Sequence, residues 1–413
     1  MRWLYSLAAY LLVPWALLHL LLRARRQPAY LRHLRERFGF YPAPAADPTI
    51  WIHAVSVGET RAAEPLVQAL RARHASRRIV LTHMTPTGRE TARSLFGDTV
   101  EIRYLPYDLP GAVRRFLKCY RPALGIVMET ELWPNLIHGC AAGAIPVYLV
   151  NARLSERSAA RYRGLRGLTA PMLRALAGIG AQTARDAERL HALGASRVVV
   201  TGNLKFDRTA PPAQLELGNR LRERFGRARP VFLAASTREG EEALLIEPIR
   251  RLSDAGALVV LVPRHPQRFD EVAQLLKARG LPFQRRSDDT AIQADTRVVL
   301  GDSMGEMYAY YAACDVAFVG GSLLPFGGQN LLEACAVGKP VLVGPHTFNF
   351  EEATEQAIAE GAALRVPNPD ELVRAASVLL AEPERARAMG EAGRRFTATH
   401  RGATERTLTL LGL

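Results

Sequence analysis

The sequence has little of what disulfide, metal and redox chemistry require. Of 413 residues only four are cysteine. Cys119, Cys140, Cys314 and Cys335 are scattered without paired spacing, which argues against a disulfide framework or a zinc site and fits a reducing compartment. The ten histidines show no ligand spacing. No Asp-x-Asp pair suits a divalent metal, and Asp288-Asp289 lies in a polar stretch where solvation explains it. No G-x-G-x-x-G opens a βαβ unit. Gly338-Lys339-Pro340 lacks the upstream glycine and the following Ser or Thr of a P-loop. There is no short-period repeat and no low-complexity tract.

Acid is in deficit. Forty Asp and Glu against 54 Lys and Arg leave a formal charge of +14. Such a balance suggests an anionic partner: nucleic acid, an acidic membrane surface or a phosphorylated substrate. The excess is clustered. Arg23, Arg25, Arg26, Arg32, Arg35 and Arg37 crowd one stretch, and Arg153, Arg157, Arg161, Arg163 and Arg166 another.

A long apolar run lies at 3–22, WLYSLAAYLLVPWALLHLLL. It carries no formal charge and is about long enough to cross a hydrocarbon core. Arg-Ala-Arg-Arg follows it where a signal peptide would have small residues, and places the bulk of the chain on the cytoplasmic side. The expectation is an N-terminal membrane-anchor helix over 1–26, with a helix lying in the membrane plane as the alternative. Both readings favour anionic lipid over nucleic acid as the partner.

The rest is ordinary globular composition, 48% hydrophobic and 23% charged, and too long for one core. Short apolar runs at 49–54, 78–82, 100–104, 123–128, 145–150 and 197–201 alternate with amphipathic stretches such as 61–73 and 111–120. This alternation predicts a parallel sheet with helices on both faces. Residues 207–229, with Pro211-Pro212, break the rhythm and read as a linker. It restarts with strands at 230–235, 257–262, 296–300, 316–319 and 340–343. The expected domains are 27–206 and 230–413, two doubly wound α/β halves facing each other across a cleft, the second carrying the C-terminal helices.

Ligands of open α/β sheets bind beyond the strand C-termini. There stands Glu59, ending His-Ala-Val-Ser-Val-Gly-Glu after the first strand. Taken locally, it fits a helix-start acid as well as a catalytic carboxylate. Glu129 and Glu131 follow the strand at 123–128 in Met-Glu-Thr-Glu-Leu-Trp-Pro-Asn. Lys205 sits in Gly-Asn-Leu-Lys-Phe-Asp at the end of that half. In the second half, polar turns follow successive strands: Pro263-Arg264-His265-Pro266, Asp302-Ser303-Met304-Gly305-Glu306-Met307, and Gly320-Gly321-Ser322 with Gly327-Gly328-Gln329-Asn330-Leu331-Leu332-Glu333. Exposed N–H groups and glycines at such turns suit a phosphate, and Arg264 adds a charged donor fork. Together these turns point to a nucleotide or nucleotide-sugar.

These blocks, with Ala235-Ser236-Thr237 and Arg238-Glu239-Gly240-Glu241-Glu242, resemble over nearly the whole chain the 3-deoxy-D-manno-octulosonic acid (Kdo) transferases of lipopolysaccharide assembly. The resemblance implies a GT-B fold with two Rossmann-like domains, and Kdo transfer from CMP-Kdo to the lipid A precursor, lipid IVA. The N-terminal half would bind the acceptor and the C-terminal half the donor, with no metal and no cofactor beyond the donor. It implies Glu59 as general base, Glu129 and Lys205 as transition-state stabilisers, and Pro263, Arg264, Met304, Gly305, Glu306, Asn330, Leu331, Leu332 and Glu333 as the CMP-binding set. It also implies a site at the cytoplasmic side of the inner membrane, with Arg153 to Arg166 holding the acceptor's phosphates or the bilayer. The alternative is a GT-B enzyme using a UDP-sugar, a transferase or an epimerase.

Overall fold

A computed structural model describes residues 1–25, 27–42 and 47–413. Arg26 of the first basic cluster therefore lies outside the described residues. The chain divides into two units, Met1–Arg208 with His400–Leu413, and Thr209–Thr399.

The first unit is built on a parallel seven-stranded sheet: β1 (Thr49–His53), β2 (Ile79–His83), β3 (Glu101–Tyr104), β4 (Pro122–Met128), β5 (Val147–Ala152), β6 (Gly178–Ala181) and β7 (Val198–Val200). The order is β3-β2-β1-β4-β5-β6-β7. Every residue of β1 and β2 is buried, as expected of parallel strands covered on both faces. Trp51 is fully buried in the core beside the sheet and donates to Thr82 Oγ1 at 2.8 Å. Its neighbour must be Gly125, because a Cβ there would lie 2.8 Å from the indole. Strands β1 to β3 progress one way and β4 to β7 the other, so the strand order reverses between β1 and β4.

The second unit repeats the plan with β8 (Val231–Thr237), β9 (Leu258–Pro263), β10 (Phe283–Arg285), β11 (Val298–Leu300), β12 (Val316–Val319), β13 (Val341–Val343) and β14 (Ala363–Arg365), ordered β10-β11-β9-β8-β12-β13-β14. Its reversal lies between β8 and β12. There a Cβ on Gly320 would meet the Thr237 Cα at 2.7 Å, so glycine lets the two strand ends touch.

Four expectations need correction. Residues 207–229 hold a helix, Pro212–Phe225, that buries Leu221 and Phe225 and packs on the Met307–Ala313 helix; Pro212 starts it at a position where no N–H is needed. The C-terminal helices do not all belong to the second half. The last, Ala403–Leu411, joins the first unit, with Leu408 and Leu411 in its core and the Gly402 N–H on Asp207 at 2.7 Å. Strands β6, β10 and β14 went unread, because they are short and poor in β-branched residues.

The fourth concerns the N-terminus. In place of one helix there are two, Arg2–Leu11 and Val13–Ala24, bent by 46°. Pro14 near the start of the second breaks the hydrogen-bond ladder. Among the described residues no single helix is long and apolar enough to cross a membrane, although this bent pair passes by length and composition. The first helix is docked on its own unit: Ser6 Oγ donates to Asn135 Oδ1 at 2.8 Å, and the Tyr5 hydroxyl bonds the buried Asp108 carboxylate. Its other side leaves Trp3, Leu4, Leu7 and Leu11 exposed.

Candidate active site

The turn after β1 leads into the Val57–Arg73 helix. Ser56 is its N-cap, and its hydroxyl accepts from the Glu59 N–H. Glu59 sits on the first turn and folds back. Its Oε2 accepts from the Val55 N–H at 2.8 Å and its Oε1 from the Ser56 hydroxyl at 3.1 Å. Thus Ser-Val-Gly-Glu forms a close relative of a capping box, as the helix-start reading of Glu59 expects. Burial leaves Glu59 8% exposed and pushes its carboxyl up to about 8; the charge of Glu129 adds to the rise, and the two hydrogen bonds oppose it.

Glu129 stands at the end of β4 in a left-handed conformation, φ 56°, which for a side chain of this kind costs on the order of 1–3 kcal/mol. The turn is held by its N–H on Val150 O at 2.9 Å. It brings Glu129 Oε1 to 3.5 Å from Lys205 Nζ. Glu131, two residues on, accepts from Trp133 Nε1 at 3.1 Å, and its carboxyl too is raised by burial.

Lys205 lies on a single 3-10 turn, Leu204–Asp207, fixed by amides that residue-type reasoning missed. Asn203 Oδ1 accepts from the Lys205 N–H and Asn151 Oδ1 from the Leu204 N–H, both at 3.0 Å. Asn203 Nδ2 donates to Gln182 Oε1 at 3.1 Å, and Gln182 Nε2 donates to Asn151 O at 2.9 Å. Asn151, fully buried, is left-handed at φ 53°. The only signal was position: Asn151 and Gln182 are polar residues at the ends of β5 and β6. Strands β1, β4, β5, β6 and β7 thus deliver Glu59, Glu129, Asn151, Gln182 and Lys205 along one sheet edge.

In the second unit the turns follow β11, β9, β8 and β12, four adjacent strands. Pro263 ends β9. The Arg264 N–H donates to Thr237 O at 2.9 Å, and its Nε to Gln329 Oε1 at 3.2 Å. Beyond β11, Met304-Gly305-Glu306 form a turn ahead of the helix that starts at Met307, with Gly305 at φ 82°. Met304 is exposed. Glu306 accepts from the Ser303 hydroxyl at 2.6 Å and pairs with Arg286 at 3.3 Å. Asn330 Oδ1 accepts from the Leu332 N–H at 3.1 Å. Leu331 and Leu332 are packed inside, and Glu333 is buried at the start of the five-residue Leu332–Ala336 helix.

Glu241 was missed as a separate element of this edge. Fully buried after β8, its Oε1 accepts from the N–H groups of Ser322 and Leu323 at 3.0 and 2.9 Å. Its Oε2 accepts from Gly321 and Arg238 at 2.5 and 2.9 Å. Glu242 pairs with Arg268 at 2.6 Å. Two blocks that carried the resemblance, Arg238–Glu242 and Pro263–Arg268, therefore hold the edge in shape. Among the described residues no group of three or more His, Cys, Asp and Glu is arranged to hold a metal ion.

Comparison with known proteins places this geometry. The family model "3-Deoxy-D-manno-octulosonic-acid transferase (kdotransferase)" matches residues 32–208, and "Glycosyl transferases group 1" matches 279–396. The 3-deoxy-D-manno-octulosonic acid transferase of Bordetella pertussis is 48% identical over 99% of this chain and 98% of its own. That of Haemophilus influenzae is 40% identical over the same shares. The solved UDP-GlcNAc 2-epimerase of Neisseria meningitidis, bound to UDP-GlcNAc, covers 88% of this chain and 99% of its own with a TM-score of 0.61, but at 16% identity it speaks for fold alone. The two parallel seven-stranded sheets are those of a GT-B glycosyltransferase. Matched over nearly its full length to two such enzymes, the chain belongs to the 3-deoxy-D-manno-octulosonic acid transferases and is a glycosyltransferase.

Proposed function

We propose that this enzyme moves Kdo from CMP-Kdo to the lipid A precursor, with inversion and without a metal. The observation that carries the reading is the Glu59 carboxylate, kept at the reversal point of the first sheet with its carboxyl raised to about 8. A base needs that basicity near working pH.

Ionised Glu59 takes the proton from the acceptor hydroxyl. The hydroxyl oxygen then bonds to the anomeric carbon of Kdo as the bond from that carbon to the CMP phosphate oxygen breaks. Positive charge grows on the sugar and negative charge on the departing phosphate. Lys205, oriented by Glu129, faces the sugar carboxylate or the phosphate. Arg264 and the backbone N–H groups of the turns after β9, β11 and β12 hold CMP, and fixed donors of this kind stabilise the leaving charge directly. No cofactor enters. The N-terminal helix pair, with its exposed Trp3, Leu7, Trp15 and Leu18, rests on the cytoplasmic face of the inner membrane. Arg157, Arg161 and Arg166, exposed on two short helices, meet the acceptor phosphates or anionic lipid.

The test is transfer from CMP-Kdo generated in situ to tetra-acyl lipid A precursor, in detergent with EDTA, read by product mass. Added Kdo mass is expected. No product from the folded enzyme with CMP-Kdo, and turnover of UDP-sugars instead, would overturn the donor assignment.

A further inference from the structure

A cavity of about 350 Å³ opens in the first unit beside the loop after β4, within the size range of ligand sites. Its walls are Tyr5 of the N-terminal helix, Leu132 and Trp133 of the loop after β4, and Leu165, Leu168 and Met172 of the helices Glu156–Gly164 and Arg166–Arg174 and the turn joining them. Polar groups of three wall residues are already engaged elsewhere. The Tyr5 hydroxyl is on Asp108, Trp133 Nε1 is on Glu131, and the Thr169 hydroxyl is on Leu165 O at 3.2 Å. Leu132, Leu165, Leu168 and Met172 give the cavity a continuous aliphatic wall, and Thr130, Glu131 and Tyr162 complete the lining with polar groups, the mixed make-up of a site for an amphipathic ligand.

The cavity does not stand apart from the chemistry. Glu131 is one of its lining residues, two residues from the Glu129 that pairs with Lys205. On the helices that wall it, Arg157, Arg161, Arg163 and Arg166 are exposed, a match for an anionic head group. On the helix that supplies Tyr5, exposed Trp3, Leu4 and Leu7 extend the apolar surface outward.

Resting on the lipid-acceptor reading above, we propose that this cavity holds an acyl chain of the acceptor while its sugar hydroxyl meets Glu59. The N-terminal helix is then a wall of the substrate site as well as a tether, and Leu165, Leu168 and Met172 set the preference for acylated acceptors.

The test compares kcat/KM on tetra-acyl lipid A precursor and on the same glycan with its chains removed, for the full-length enzyme, Leu168→Trp and Leu165→Glu. Leu165 is 53% exposed, so its replacement is expected to leave folding intact. Both variants should lower the ratio of acylated to deacylated kcat/KM at least tenfold, through acceptor KM. Ratios equal to wild type in both variants, with transfer intact, would overturn the inference. Absence of Kdo transfer to either acceptor by the wild type would instead overturn the function on which it rests.

Discussion

Two carboxyl groups stand at equivalent points of the two sheets and differ in how fully they are bonded. Glu59 follows β1 and Glu241 follows β8, each central strand lying beside the reversal of its sheet, and each residue lies on the first turn of the helix that comes next. Glu241 accepts from four backbone N–H groups, three in the loop after β12 and one, Arg238, in its own turn after β8, and is fully engaged in holding these two turns together. Glu59 accepts from one backbone N–H and one hydroxyl, and Glu129 is close enough to raise its carboxyl further. The first is held by a full set of donors and shapes its sheet edge; the second is left short of partners beside like charge, the setting that suits the base proposed above. The same fold position thus carries a fully bonded carboxyl in one unit and, in the other, the one proposed above as the base, and the number of donors around each separates the two.

The largest expected effects test that contrast. Glu59→Gln should lower kcat about 10³-fold, a general base's share, with the fold intact by circular dichroism. Glu241→Ala strands four buried N–H groups and should lower stability by on the order of 3–5 kcal/mol in urea denaturation. An active-site defect without destabilisation in Glu241→Ala would break the comparison.

Smaller effects sharpen it. A carboxyl whose folded pKa is raised holds its proton more tightly in the folded protein. Its contribution to stability therefore falls as pH rises from about 4.5 toward about 8. Glu59→Gln should match wild type at pH 5 and be the more stable protein at pH 8. In kinetics, the acid limb of kcat/KM should move to higher pH in Ser56→Ala, which loses a hydrogen bond to the carboxylate, and to lower pH in Glu129→Gln, which loses the neighbouring charge. Smallest is the joint Arg157→Glu, Arg161→Glu, Arg166→Glu change. It should raise acceptor KM several-fold and weaken binding to anionic liposomes by about 1 kcal/mol per arginine, with donor KM unchanged.

What the sequence made legible follows from where chemistry is concentrated. The buried strands read as continuous apolar runs, and Glu59, Glu129, Lys205 and Arg264 stand out because a charged group just past such a run is unusual. The supporting residues carry no such mark. Asn151 matters through a left-handed backbone and two hydrogen bonds to distant segments, which only the assembled sheet defines. Glu241 stood only as one member of the Arg238–Glu242 block, with nothing to mark its four backbone donors. Arg37 was counted with a surface cluster, yet it is buried with its guanidinium 4.1 Å from the Tyr104 ring centre. Clustering in sequence says nothing about which members a fold turns inward. The helix at Pro212–Phe225 was hidden by the prolines that begin it, and at the N-terminus the uncharged run at 3–22 reads as one helix although Pro14 lies inside it and the chain bends there by 46°.

The central claim is that Glu59 is the base, and the pH–rate profile tests it most directly. Kdo transfer from CMP-Kdo to tetra-acyl lipid A precursor would be followed across pH 5–10 for wild type and Glu59→Gln. The account predicts a wild-type rate that rises to a plateau with its midpoint near pH 8, and a variant at least 10²-fold slower throughout. A variant as fast as wild type, or one that keeps the same limb near pH 8, would contradict it.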